Sequence, residues 1–298
     1  MQELQSELPS DIAFIGGGNM ATAMLDGLDG LDASPTLHVI DLDEDARRRH
    51  EAAGRVASDN LSDGLESVDT VVLAVKPQHL ESMKEELAEA LEPGSLLISV
   101  LAGTPCSVLE SIVPEDVRVV RVMPNTPMAV GEGMAAVAAG SRATKQDVEI
   151  AADICRPTAR VLIVPEKRMD AITAVSGSGP AYFFRFCEVL MAAAEEELDF
   201  SEAEARLLVC QTAKGAVEYL ASTEGFPAGR LRKQVTSKGG TTAAALRVFD
   251  EGGIEELARG ALNAAVDRAG ELAKLLEADS DTAATVESSL DARRESRA

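Results

Sequence analysis

Two hydrophobic rhythms divide this chain. Up to about residue 164, short apolar runs at 12–15, 37–40, 70–75, 96–100, 117–122, 135–138 and 161–164 alternate with stretches of helical spacing, as over 78–91 and 144–156. Runs that are apolar at nearly every position predict strands buried on both faces, and their alternation with helices predicts a mostly parallel sheet covered by helices. After residue 164 the strand rhythm stops. Val175-Ser-Gly-Ser-Gly-Pro180 interrupts the chain, and beyond it an alanine-rich sequence keeps helical spacing over 180–198, 201–222, 228–234, 241–250 and 254–276. Pro180 suits a first helical turn, and Ser201 with Glu204 makes a capping-box pair. The expected organisation is α/β: a parallel-sheet domain over 1–164, an all-helical domain over 165–277, and a polar, charged tail over 278–298 expected to be disordered.

The first strand runs into Gly16-Gly17-Gly18-Asn19-Met20-Ala21 and then a helical stretch to about residue 28. Strand, Gly-x-Gly-x-x-Ala and helix in this order suit a dinucleotide. Gly16 would make the tight turn, Gly18 would admit a pyrophosphate, and Ala21 would keep helix and strand close. The second strand ends at Asp41, at the distance downstream where an acid should meet the adenosine ribose. These features predict a Rossmann-type domain for a nicotinamide cofactor. Ligands of such sheets lie beyond the carboxyl ends of the strands, so Ala74, Val75, Lys76 and Pro77, Ala102 and Gly103, and Asn125 in its proline-flanked loop are expected to line the cofactor cleft.

A second glycine motif spans 235–253, reading VTSKGGTTAAALRVFDEGG. Gly239 and Gly240 let the backbone approach a ligand, the free N–H groups opening the next helix favour a carboxylate or phosphate, and Thr241 and Thr242 add hydroxyls. A tight turn capping a packed helix is the competing reading of these residues.

Composition narrows the partners. The chain has 298 residues, 50 acidic against 28 basic, for a formal net charge of −22, with 46% hydrophobic residues. Such a balance repels nucleic acid and anionic membranes, and acid scattered over the whole chain suits a protein adapted to high salt. Cys106, Cys155, Cys187 and Cys210 form no close pair, and His38, His50 and His79 are scattered, so neither a disulfide framework nor a metal site is expected. Three of the four cysteines sit in apolar surroundings that suit a small buried residue. A polar start and the lack of a long apolar run place the expected protein in the cytoplasm. Tyr182-Phe-Phe-Arg-Phe186 and the 261–276 helix are apolar on more than one face, which implies a second copy: a homodimer through the helical domain.

Taken together, Phe14-Ile-Gly-Gly-Gly-Asn-Met-Ala21, Ala74-Val-Lys-Pro77, Val122-Met-Pro-Asn-Thr-Pro127, Ser176-Gly-Ser-Gly-Pro-Ala-Tyr182 and the 235–253 segment resemble the pyrroline-5-carboxylate reductase family, in its order and spacing from about residue 12 to 275. The resemblance implies reduction of 1-pyrroline-5-carboxylate to L-proline by hydride transfer from NADPH or NADH. It implies that Ser237, Thr241, Thr242 and the backbone at Gly239 and Gly240 hold the substrate carboxylate, and that the Thr242 hydroxyl meets the ring nitrogen as the catalytic contact. It also implies a homo-oligomer, which in this family is often a ring of five dimers.

Three positions depart from the family's pattern. Lys238 stands where proline is usual, and Lys233 where an acid is often found. Asp41-Leu42-Asp43 occupies the place where NADP-preferring members offer serine, asparagine or arginine; Asp41 would repel a 2′-phosphate that Arg47, Arg48 or Arg49 could reach. The expectation is that NADH serves at least as well as NADPH. A reductase of the 3-hydroxyacid dehydrogenase type would need a lysine where this chain has Phe183, which has no proton to donate. A non-catalytic nucleotide sensor would keep residues 16–21 and dispense with the hydroxyls of 237–242.

Overall fold

The computed structural model describes residues 7–223, 225 and 227–295, with side chains through residue 274. The chain opens with β1 (Asp11–Ile15), α1 (Asn19–Asp29), β2 (Thr36–Ile40), α2 (Glu44–Ala52) and β3 (Val56–Ser58). It continues through α3 (Leu61–Gly64), β4 (Thr70–Leu73), α4 (Leu80–Ala90), β5 (Leu96–Ser99), α5 (Cys106–Ile112) and β6 (Arg118–Met123). These six strands lie parallel in the order β3-β2-β1-β4-β5-β6. The order reverses between β1 and β4, so the crevice of a doubly wound sheet opens at their carboxyl ends. β7 (Gly133–Ala139) then pairs antiparallel with β6, and after α6 (Lys145–Cys155), β8 (Ala159–Ile163) pairs parallel with β7.

The uniform apolarity of the strands has the anticipated cause. β4 and β5 are buried at every residue, and alternate residues along each strand enter two different cores, as the two-residue period of a strand requires. Ile12 and Phe14 pack with Met24 and Leu25 of α1 and Ile154 of α6, whereas Ala13 and Ile15 pack with Leu61 of α3, Leu87 of α4 and Leu109 of α5. The seven strands predicted from apolar runs are all present. The eighth, β3, carries no residue that is fully buried and so leaves no apolar signature.

The remaining elements are helical: α7 (Met169–Ile172), a π-helical turn at Thr173–Gly177, α8 (Gly179–Leu198), α9 (Glu202–Ser222), α10 (Ala228–Gln234), α11 (Thr241–Glu251) and α12 (Ile254–Glu295). The chain divides into two compact units, one of Met1–Ser178 with Ala265–Ala298, the other Gly179–Ala264. The first therefore reaches past residue 164, where the sequence suggested a boundary. Val164, Met169 and Ile172 pack on Met123, Ala136 and Ala138, which holds the segment after β8 to the sheet. Ala269 of α12 is buried as well.

In the second unit only Gly179 and Ala205 are buried among the described residues. Phe183, Phe184, Leu207 and Leu257 are each about two-thirds exposed in the single chain. The cysteines divide the same way: Cys106 and Cys155 of the sheet unit are buried, whereas in the helical unit Cys187 is half-buried and Cys210 exposed, so two thiols and not three are enclosed. α12 runs on to Glu295 where disorder was expected from residue 278. Alanine, glutamate, leucine and arginine in that stretch favour a helix while its aspartate, serine, threonine and valine do not, so composition alone does not account for the continuation; residues 296–298 lie outside the described residues. No described helix is long and apolar enough to cross a membrane.

Candidate active site

The turn after β1 is built by close approach. Gly16 takes a φ of +97°, and a Cβ there would lie 2.9 Å from the backbone carbonyl of Ala74. Only glycine satisfies both conditions. Gly16 N–H donates to the Ile40 carbonyl and Ala74 N–H to that of Ile15, so the ends of β1, β2 and β4 are stitched around the turn. Gly17 is enclosed too: a Cβ would meet the His50 ring at 2.8 Å and Val39 at 3.0 Å. At Gly18, the N-cap of α1, no atom lies within 4 Å of such a Cβ. The turn thus presents backbone without a side chain at the head of a helix.

Asp41 was expected at the ribose. Its carboxylate accepts from Gly17 N–H at 2.7 Å through Oδ2 and from Asp43 N–H at 2.9 Å through Oδ1, which braces the turn from the end of β2. A carboxylate has lone pairs to spare after two such bonds. Arg47 donates to the carbonyls of Asp41 and Leu42 at 2.7 and 3.0 Å, and Arg48 pairs with Glu44 at 2.5 Å. Both guanidinium groups are therefore engaged locally.

The structure brings residues 16–20, Asp41, Ala74 and Val75 together at one mouth of the sheet. Lys76 is exposed and precedes the 3₁₀ turn Pro77–His79. Ala102 is exposed, while Gly103 (φ +73°) is buried beside Leu272 of α12. Asn125 serves as a strut: its Oδ1 accepts from Met134 N–H at 2.8 Å and its Nδ2 donates to the Ser176 carbonyl at 3.0 Å. It ties the loop after β6 to the π-helical turn.

Sequence reasoning passed over His50 and Arg55. His50 is buried, with Nε2 3.0 Å from the Gly17 carbonyl and Nδ1 2.8 Å from Arg55. Arg55 in turn donates to Asp29 at 2.6 Å and to Asp26 at 2.5 Å. Nothing in the local sequence marks a histidine 33 residues from its partner.

In the helical unit, Gly240 N–H donates to the Ser237 carbonyl at 3.1 Å and Gly239 takes a φ of +73°. Lys238 is not among the described non-glycine residues of positive φ, so this is a type II turn with Lys238 at its second position and Gly239 at its third. Gly240 is the N-cap of α11 and receives no side-chain cap. The first N–H groups of α11 have no partner within their helix, and the Ser237, Thr241 and Thr242 hydroxyls lie on the same turn. Lys233 faces elsewhere: with Arg232, Thr236, Arg247 and Asp250 it lines a cavity of about 310 Å³ that residues 237–242 do not border.

Comparison with known proteins meets this geometry at both glycine motifs. Residues 166–272 match the family model "Pyrroline-5-carboxylate reductase dimerisation", and residues 11–103 match "NADP oxidoreductase coenzyme F420-dependent". A pyrroline-5-carboxylate reductase of Pseudomonas aeruginosa is 41% identical over 269 residues, covering 89% of this chain and 97% of the relative. That of Vibrio alginolyticus is 38% identical over 268 residues, covering 89% and 98%. Among solved structures, the Coxiella burnetii enzyme aligns with a TM-score of 0.81 at 38% identity, covering 88% of this chain and 98% of its own. The Plasmodium falciparum enzyme, solved with NADP bound, aligns with a TM-score of 0.79 at 28% identity and the same coverage. At this identity and coverage, with both glycine turns in place, the chain belongs to the pyrroline-5-carboxylate reductase family.

Proposed function

We propose that this chain reduces 1-pyrroline-5-carboxylate to L-proline with NADH or NADPH, the final step of proline synthesis. One observation carries the reading: the uncapped turn at the head of α11 keeps Ser237, both glycines and both threonines, in a chain that also keeps the β1 turn. The β1 turn fits a dinucleotide, since Gly18 offers open backbone at a helix N-terminus. Residues 16–20 would hold the pyrophosphate, Asp41 the ribose, and the loops at Ala74 to Pro77, Ala102 to Gly103 and Asn125 the rest of the cofactor. When bound, the reduced nicotinamide supplies the hydride. The chain's share is orientation and charge placement.

Ser237 and the N–H groups around Gly239, Gly240 and Thr241 hold the substrate carboxylate, an anion that the positive end of α11 favours. The Thr242 hydroxyl meets the ring nitrogen, whose charge changes as the imine becomes an amine. Asp41 disfavours a 2′-phosphate, and Arg47 and Arg48 are held locally while Arg49 stays exposed; with the carboxylate nearest the ribose, we read NADH as serving at least as well as NADPH.

The helical unit buries too little to stand alone, and we read it as the face of a homodimer, itself open to further assembly. Dispersed acid in the chain reads as adaptation to high salt, in a cytoplasmic enzyme. The test is cofactor oxidation by the purified protein with the imine present, proline being identified as the product and the assembly measured by light scattering. Absence of turnover with both cofactors, at high and low salt alike, overturns the reading.

A further inference from the structure

We infer that His50 is a positioning residue for the cofactor turn, aiming the Gly18 N–H by its hold on the Gly17 carbonyl. The inference rests on the reading of residues 16–21 as a dinucleotide site. Its first step is the histidine's tautomer. Arg55 can only donate hydrogen bonds, and its guanidinium lies 2.8 Å from His50 Nδ1, so Nδ1 must be an unprotonated acceptor. The ring proton then sits on Nε2, pointing at the Gly17 carbonyl 3.0 Å away. Arg55 is itself held by Asp26 and Asp29, carboxylates on the last turns of α1. One chain of hydrogen bonds therefore joins the far end of α1 to the turn that opens it.

The peptide plane carries the effect onward. The Gly17–Gly18 bond is planar and trans, so its carbonyl and N–H point in opposite directions. A carbonyl pinned by His50 fixes the direction of Gly18 N–H, which makes no hydrogen bond among the described residues. Asp41 holds the other side of Gly17 by its N–H. Both handles of this residue are thereby fixed, from β2 and from α2, before any ligand arrives. Preset backbone donors lose less freedom on binding, which is what tightens an anion site.

The test compares His50→Leu, His50→Asn and His50→Gln by direct fluorescence titration of NADH and NADPH, alongside kinetics and thermal unfolding. Glutamine can donate to Gly17 and accept from Arg55; leucine can do neither, and asparagine is too short to span both. Leucine and asparagine variants are expected to bind cofactor about tenfold more weakly, the loss of about one well-placed hydrogen bond. The cofactor KM should rise in step, with kcat at saturating cofactor and the imine KM within about twofold of wild type, while the glutamine variant stays within about threefold. Asparagine keeps the test open if the leucine variant does not fold. A lowered melting point with unchanged cofactor affinity, or a glutamine variant as weak as asparagine, overturns the inference. Wild-type protein that binds cofactor and leaves the imine untouched would instead overturn the proposed activity.

Discussion

A single hydroxyl separates two accounts of the α11 turn. If Thr242 meets the ring nitrogen, Thr242→Val leaves a partner unpaired in the transition state, costing about 1–3 kcal/mol, or roughly ten- to a hundredfold in kcat/KM. NADH affinity should stay unchanged. Ser237→Ala should mainly raise the KM for the imine, because a carboxylate contact exists in ground and transition states alike. Steady-state kinetics of both variants separate these roles, and wild-type turnover in the Thr242 variant would return the turn to a structural one. Asp41 predicts the cofactor ratio: kcat/KM for NADPH should not exceed that for NADH by more than about tenfold, equivalent to about 1.4 kcal/mol. The glycines and threonines of the two turns were legible in sequence because each motif is local, and Asp41 was legible as the end of a strand but not as the brace of Gly17, 24 residues away. His50 and Arg55 were not, since their partners lie 33 and up to 29 residues away and a histidine's neighbours depend on how α2 packs.

At the scale of elements, the family's missing proline finds a physical address. Lys238 occupies the second position of a type II turn, where φ near −60° suits proline. Lys238→Pro should therefore stabilise the protein, by about 0.4–1 kcal/mol through the unfolded chain, read as a higher denaturation midpoint. An unchanged or lower midpoint would mean that the turn does not tolerate proline here. α6 presents a different case. Cys155 at its end is fully buried, and burial pushes its thiol from 9.0 up to about 12. A raised thiol pKa stabilises the fold below the unfolded value and loses that contribution as pH climbs from about 9 toward 12. Unfolding free energy should fall over that window, and less steeply in Cys155→Ala; equal slopes would show that other groups govern the alkaline limit.

The whole molecule carries a charge of −22, and charge of one sign works against a compact state. Activity and the unfolding midpoint should both fall on dialysis into roughly 0.05 M salt, where the Debye length exceeds 10 Å, and recover at high salt. Full activity with an unchanged midpoint would remove the high-salt reading. The exposed apolar side chains of α8, α9 and α12 belong to the same scale: with only two of its described residues buried, the helical unit has the surface that the proposed homo-oligomer would cover.

Sequence by itself determined the alternation of strands and helices, the switch to an all-helical second half and both glycine turns. Each follows from a period or a backbone requirement expressed within a few residues. Tertiary structure decided the strand order, the antiparallel β7, the boundary at Gly179 and the joining of Asp41, His50 and Arg55 around Gly17. Those outcomes turn on which distant surfaces pack together, and a hydrogen bond between residues far apart leaves no pattern along the chain.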